Sequence, residues 1–352
     1  LNTNEIENIK EIVRISHSYL ESLLVSSVIT LKEPTSPYWN TYITGEKMKD
    51  IISGAVFLCG DEYCFNYTLN SIKSQTYKNI ELIITDDCSK DDTFNVAKKW
   101  CEENSIRFVN TICVQTIGNK GIPHNINNGI RYAQGKYIKV IAADDLLVDT
   151  FIQDMYNFCE ENNYKIAFSD IEIFNLDNEN EPQYPLEMKE VFKLPVEKQY
   201  SFLLKCNFVP AVSSFIRKDL IDELNIYNEK YPFLDDLPAW LKVTKNGIKL
   251  NLLDKKLVRY RRHSAAISTL NKVNPRLTES AYLVYKNEIR PELLRRFNLV
   301  RVVDNDMYYY YLRKTIEYNN RGIALPYRYK LLSIFMPIKL VTKIKAEIIR
   351  KK

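Results

Sequence analysis

From Ile51 onward the chain alternates short apolar runs with amphipathic stretches, and the two periods separate strands from helices. Ile51–Leu58 reads as an apolar strand, after which Phe65, Leu69 and Ile72 share one face of a helix. A second strand, Ile80–Thr85, ends at Asp86 and Asp87. Ser89 and Asp92 have the spacing of a capping box and predict a helix on which Phe94, Ala97 and Cys101 line up. A third strand is expected over Arg107–Val114. Asn119-Lys120-Gly121 then leads into a helix aligned on Ile122, Ile126, Ile130 and Ala133 and closed by Gly135. The strand Ile138–Ala142 has no polar face, which fits the buried centre of a parallel sheet, and it runs straight into Asp144 and Asp145.

A strand and helix series of this kind implies an α/β fold, with a Rossmann-like, mostly parallel sheet flanked by helices and joined by right-handed crossovers. It falls within an expected domain of residues 49–270. Residues 1–48 read as a helical extension and proline-punctuated linker, and residues 271–352 as a helical, tyrosine-rich region with a basic tail. Between them follow a helix on Phe151, Met155 and Phe158, a strand Ile166–Phe174, and another strand near Leu250–Leu253.

Composition narrows the function classes. The chain has 352 residues, 45% of them hydrophobic and 26% charged, as in a globular protein. It contains no apolar run of bilayer-spanning length and no charged-apolar-small leader, so a cytoplasmic protein is expected. Seven cysteines without a CxxC pair or a nearby histidine argue against a zinc site or a disulfide framework. The net charge is +5, yet Arg321–Lys352 alone carries nine Lys or Arg against one Glu, leaving about −3 for the remainder. The basic character is therefore local, and no nucleic-acid motif accompanies it. In the tail, Val341, Ile344 and Ile348 can gather on one side and Lys339, Lys343 and Arg350 on another, which suits either an anionic membrane surface or packing with a solvated basic face.

Two acidic pairs at strand ends need a reason to tolerate like charge. Ligands of open α/β sheets sit at the carboxyl ends of the strands, and Asp86, Asp87, Asp144 and Asp145 all fall there. Mn²⁺ or Mg²⁺ bound with a phosphate ligand would supply the reason, with His263 completing the shell and Arg259, Arg261 and Arg262 meeting phosphate. The alternative is that these acids only cap helices and close turns. Neither GxGxxG nor GxxxxGK[ST] is present to explain them otherwise.

Residues 51–268 resemble an inverting family 2 glycosyltransferase with the GT-A fold, of the type that builds bacterial surface polysaccharide. The matching pieces occur in the family's order: the run Thr68–Thr93, Asn119–Gly121, Asn125–Asn127, Gly135–Ile138, Ala143-Asp144-Asp145, Asp235-Asp236 with Trp240, and Tyr260–His263. The resemblance implies a nucleotide diphosphate sugar donor, expected to be UDP-linked, and a glycan or lipid-linked oligosaccharide acceptor met at the inner face of the membrane. It implies that Asp87, Asn127, Leu58 and Asp144 border the nucleotide, that Asp144, Asp145 and His263 hold the metal, and that Asp236 is the general base. Two departures stand out. Ala142 occupies the first position of the Asp-X-Asp motif, leaving either Asp144 or Asp145 as metal ligand, and Phe57–Gly60 replaces the usual Pro-X-Tyr-Asn. A sugar-nucleotide pyrophosphorylase would want a glycine-rich basic loop after the first strand, where Leu58–Tyr63 has none. A non-catalytic nucleotide-sugar scaffold is the other alternative, favoured by Ala142 and opposed by Asp236 and His263.

Overall fold

The computed structural model describes residues 51–58, 62–174, 184–262 and 274–329. The N-terminal extension, His263 and nearly all of the basic tail lie outside them. The strands are β1 (Ile52–Leu58), β2 (Ile80–Asp86), β3 (Asn110–Gln115), β4 (Tyr137–Ala142), β5 (Leu146–Leu147), β6 (Ile166–Phe174), β7 (Phe215–Arg217) and β8 (Asn251–Arg261). They form one sheet in the order β3-β2-β1-β4-β7-β6-β8-β5. β3, β2, β1 and β4 are all parallel, whereas the short β7 runs antiparallel to both β4 and β6. The chain leaves β1 toward β2 and β3 on one side and returns to β4 on the other. That reversal falls between β1 and β4, and open α/β sheets take ligands at the carboxyl ends of the strands where the order reverses.

The helices are α1 (Glu62–Lys73), α2 (Thr93–Asn104), α3 (Ile122–Ile130), α4 (Phe151–Asn162), α5 (Leu186–Lys193), α6 (Val196–Leu203), α7 (Lys218–Leu224), α8 (Asp236–Lys245), α9 (Pro275–Val284), α10 (Arg290–Arg295) and α11 (Leu299–Asn320). Side-chain alternation sends Leu82, Ile84, Tyr137 and Ile141 into one core, with Phe65 and Leu69 of α1 and Phe151 of α4. Ile83 and Ile138 enter the other, with Ile126 of α3 and Trp240 of α8. Both faces of the central strands are covered, which is why those strands read as continuous apolar runs.

Four local expectations differ from the structure. The first concerns α3, which ends at Ile130, short of Ala133 and Gly135. β3 begins at Asn110 rather than Arg107, because residues 105–107 form a 3₁₀ turn and the Arg107 guanidinium donates to the carbonyls of Lys73, Gln75, Tyr77 and Lys78. The capping box does not form: the Ser89 N–H and hydroxyl both donate to Asp86, and Asp92 caps α2 without a side-chain bond. β8 runs to Arg261, well beyond Leu253, across a register shift near Asp170.

Candidate active site

The acids at the end of β2 have separate surroundings. Asp86 is fully buried and accepts the Ser89 N–H, the Ser89 hydroxyl and the Gln115 amide, so its carboxylate closes the turn after the strand. Asp87 accepts the Thr116 hydroxyl and the Lys120 N–H at Oδ1, each at 3.1 Å, and the Gly121 N–H at Oδ2 at 2.9 Å. A carboxylate offers about four acceptor sites, so one further donor can still be taken. Gly121 makes this possible. Its φ of +98° is open to glycine, and its chain neighbour Ile122 donates its N–H to the Pro232 carbonyl at 2.8 Å. The loop after β3 thereby joins Asp87 to the segment that carries Asp235 and Asp236.

Asp144 and Asp145 stand between β4 and β5, and the last residue of β8 clamps them. The Arg261 N–H donates to Asp145 Oδ1 at 2.9 Å, while Arg261 Nε donates to the Asp144 carbonyl at 2.8 Å. The Thr68 hydroxyl holds the Asp145 carbonyl from α1 at 2.8 Å. Asp145 is buried and Asp144 half-exposed. Burial raises the Asp145 carboxyl well above the ordinary range, the neighbouring Asp144 adds to this, and Arg261 and Lys139 oppose it. Lys139 is itself buried in β4, with Nζ donating to the Val140 and Val212 carbonyls and lying 4.9 Å from the Phe151 ring centre. Burial brings its ammonium down to about 7, partly offset by Asp145.

Arg259 and Arg261, expected at phosphate, are otherwise engaged: Arg259 pairs with Glu172 at 2.9 Å, and Arg261 is buried against the acid pair. Among the described residues, no group of three or more His, Cys, Asp or Glu gathers as a metal site. His263, the third expected ligand, falls outside them, two residues beyond the end of β8. Two carboxylates suit a hard cation such as Mg²⁺ or Mn²⁺, which fills most of its shell with water and phosphate oxygen.

Asp236 opens α8. Its Oδ2 accepts the Asn207 amide at 2.6 Å and its Oδ1 accepts the Leu237 N–H at 2.6 Å. Asn207 is in turn oriented by the Val209 N–H, which donates to its Oδ1 at 3.1 Å. Burial raises both carboxyls of the pair, Asp235 to about 7 with the charge of Asp236 adding to its shift. The Leu237 N–H and the Asn207 amide, both donating to Asp236, oppose part of its rise. Nothing in the spacing points to Asn207, which lies 29 residues before its partner. The C-terminal helices support this loop: the Phe233 N–H donates to Ser280 of α9 at 3.2 Å, and the Tyr231 hydroxyl to Glu288 at 2.8 Å.

The remaining expected residues are more peripheral. The Asn127 amide donates to the Tyr227 carbonyl at 3.0 Å and to Glu229 at 2.8 Å, tying α3 to the segment before Asp235. Leu58 ends β1 in register with Asp86.

A family model described as glycosyl transferase family 2 matches residues 64–224. The chain is 32% identical over 222 residues to the UDP-Glc:alpha-D-GlcNAc-diphosphoundecaprenol beta-1,3-glucosyltransferase WfaP of Escherichia coli, a match covering 61% of this chain and 78% of that one. It is 27% identical over 283 residues to the cholesterol galactosyltransferase of Borreliella burgdorferi, covering 76% of this chain and 77% of the relative. Among solved structures, S. aureus TarS in complex with UDP-GlcNAc shares the fold with a TM-score of 0.53 at 18% identity, over 69% of this chain and 66% of that one. With acidic residues at the carboxyl ends of β2 and β4 and an acidic pair opening α8, the chain belongs to the family 2 glycosyltransferases and is a glycosyltransferase of the GT-A fold.

Proposed function

We propose that this glycosyltransferase moves a sugar from a nucleotide diphosphate donor to a hydroxyl of a lipid-linked glycan in the building of a bacterial surface polysaccharide, with inversion at the anomeric carbon. The observation that carries the reading is the setting of Asp236: a carboxyl at the opening of α8, held by Asn207 and the Leu237 N–H, whose burial raises its proton affinity and strengthens it as a base. A uridine donor is supported by the UDP-Glc of WfaP and the UDP-GlcNAc bound to TarS, and a lipid acceptor by the GlcNAc-diphosphoundecaprenol of WfaP and the cholesterol of the galactosyltransferase.

In this reading Leu58, Asp87, Asn127 and Asp144 border the nucleotide sugar. Asp144 and Asp145, with His263, would hold Mn²⁺ or Mg²⁺. When bound, such an ion neutralises charge on the leaving diphosphate. Asp236 takes the proton of the acceptor hydroxyl, whose oxygen then bonds to the anomeric carbon as the bond to the diphosphate oxygen breaks on the opposite face. Residues 49–270 constitute the transferase domain, and the helical region after them braces the loop that presents the base. The basic tail from Pro326 to Lys352 adds attraction to anionic headgroups.

The test is Asp236→Asn in a transfer assay with uridine diphosphate sugars and a polyprenyl-diphosphate sugar acceptor. Donor affinity should hold within about twofold while turnover falls by roughly 10² or more, as expected for loss of a general base. Retained turnover in this variant would overturn the assignment, and loss of turnover in Asp235→Asn alone would move the base one position.

A further inference from the structure

We infer that the turn between α10 and α11 is a docking surface for an anionic phospholipid bilayer. Five apolar side chains, Leu294, Phe297, Leu299, Val300 and Val303, are exposed within this one turn and the start of α11, with Phe297 at 87% of its full exposure. Leu299, Val300 and Val303 follow helical spacing and so share a face. Isolated apolar residues on a surface are ordinary, but five side by side are a surface in want of a partner.

The backbone supplies the second observation. Phe297 has φ of +54°, in the left-handed region at the end of α10. Its N–H donates to the Leu294 carbonyl at 3.0 Å and the Asn298 N–H to the Leu293 carbonyl at 2.9 Å, a helix ending in which this position normally belongs to glycine. A large aromatic residue here strains the backbone and, almost wholly exposed, recovers little of that cost by packing. Strain retained at a protruding aromatic side chain is explained by a contact outside the chain.

Charge selects the partner. Leu294–Val303 contains Arg295, Arg296 and Arg301 and no acid. Glu292, nearly buried beneath, pairs with both Arg295 and Arg296 and so cancels only one of their two charges. Arg301 reaches the carbonyl of Lys205, bringing another exposed cation to the rim. An apolar knob ringed by arginines matches a membrane interface, where the apolar groups enter below the headgroups and the cations pair with anionic lipid. For its purpose this inference rests on the lipid-linked acceptor proposed above, which would be met in that surface. Its evidence does not depend on that acceptor.

The experiment is sedimentation of the full chain with phosphatidylglycerol vesicles and with phosphatidylcholine vesicles, without donor or acceptor, so that its outcome is independent of the catalytic reading. Phe297→Gly removes the side chain and relieves the positive φ, so the variant should unfold at the same or a higher temperature yet bind phosphatidylglycerol vesicles at least about tenfold more weakly, the loss expected for one buried aromatic side chain. Arg295→Gln with Arg301→Gln should abolish the preference for phosphatidylglycerol. Unchanged vesicle binding by Phe297→Gly would overturn the inference and leave membrane attachment to the basic tail. A change in oligomeric state without a change in vesicle binding would overturn it in favour of a second copy of the chain.

Discussion

Gly121→Ala tests the join between the Asp87 loop and the Asp235–Asp236 loop. At φ +98° and ψ 172° the residue occupies a region that is almost exclusive to glycine, and an alanine held there costs about 1–3 kcal/mol. A Cβ at this position would lie 2.3 Å from the Pro232 carbonyl oxygen and 2.7 Å from Pro232 Cβ, so one of the two backbone segments has to move by roughly an ångström, at about 1–3 kcal/mol. That movement also weakens the Ile122 bond to Pro232, worth about 1 kcal/mol. Because these costs share one displacement they overlap, and the expected loss is about 3–5 kcal/mol, or on the order of 5 °C in Tm for a unit of this size. Two other glycines calibrate the result. Gly118 has open space and no positive φ, so its alanine variant should be neutral, whereas Gly247, at φ +77° with nothing nearby, should cost only about 1 kcal/mol. Thermal unfolding of the three variants by circular dichroism reads the order. A Gly121→Ala protein that melts within a degree of Gly118→Ala would show that the contact with Pro232 does not hold the two loops together.

Asp235→Asn should stabilise the protein at pH 8 relative to the parent. The folded-state affinity of Asp235 for its proton is raised, so the parent is penalised as pH climbs from the ordinary carboxyl value of 3.8 toward about 7, and the variant's advantage should fade below that window; a gain that persists undiminished at pH 4 would contradict the burial argument. Asp144→Asn and Asp145→Asn should each weaken Mn²⁺-dependent binding of uridine diphosphate by tenfold or more in calorimetry while leaving Tm nearly unchanged, since the amide oxygen introduced by Asp145→Asn would still accept the Arg261 N–H. Equal nucleotide affinity with and without chelator in the parent would remove the proposed role of both acids.

The central strands are legible because burial on both faces demands unbroken apolar runs, and the runs at Ile80 and Ile138 have little else to become. β8 is less legible: Asp254, Lys255 and Lys256 are exposed in its middle, and a strand solvated at its centre carries no apolar pattern to read. β7 is three residues long and gains its place from pairing with β4 and β6, which is long-range information. Arg107 escapes the pattern for a related reason. Its position is set by four carbonyls between Lys73 and Lys78, about thirty residues earlier in the chain. No transmembrane-length apolar helix occurs among the described residues, in keeping with the hydropathy of the chain.

At the site the sequence delivers the acids in pairs and, through the resemblance to the family, singles out Asp87 and Asp236, but it does not show what holds each acid. The structure separates Asp86 from Asp87 by what each closes: one satisfies the turn immediately after β2, the other reaches across to the amides of Lys120 and Gly121. It separates Asp145 from Asp144 by depth, with the deeper acid pinned by Arg261. It separates Asp236 from Asp235 by donors, since Asp236 receives the Asn207 amide. In the last two cases the distinguishing partner comes from a different strand or loop, and in the first the amides that single out Asp87 do, so adjacency along the chain contains no trace of it. Burial raises both carboxyls of the Asp235–Asp236 pair, and the donors on Asp236 oppose the rise there. In the proposed mechanism these donors favour Asp236 over its neighbour as the base, and Asn207, invisible in the sequence pattern, is one of the two that supply the difference.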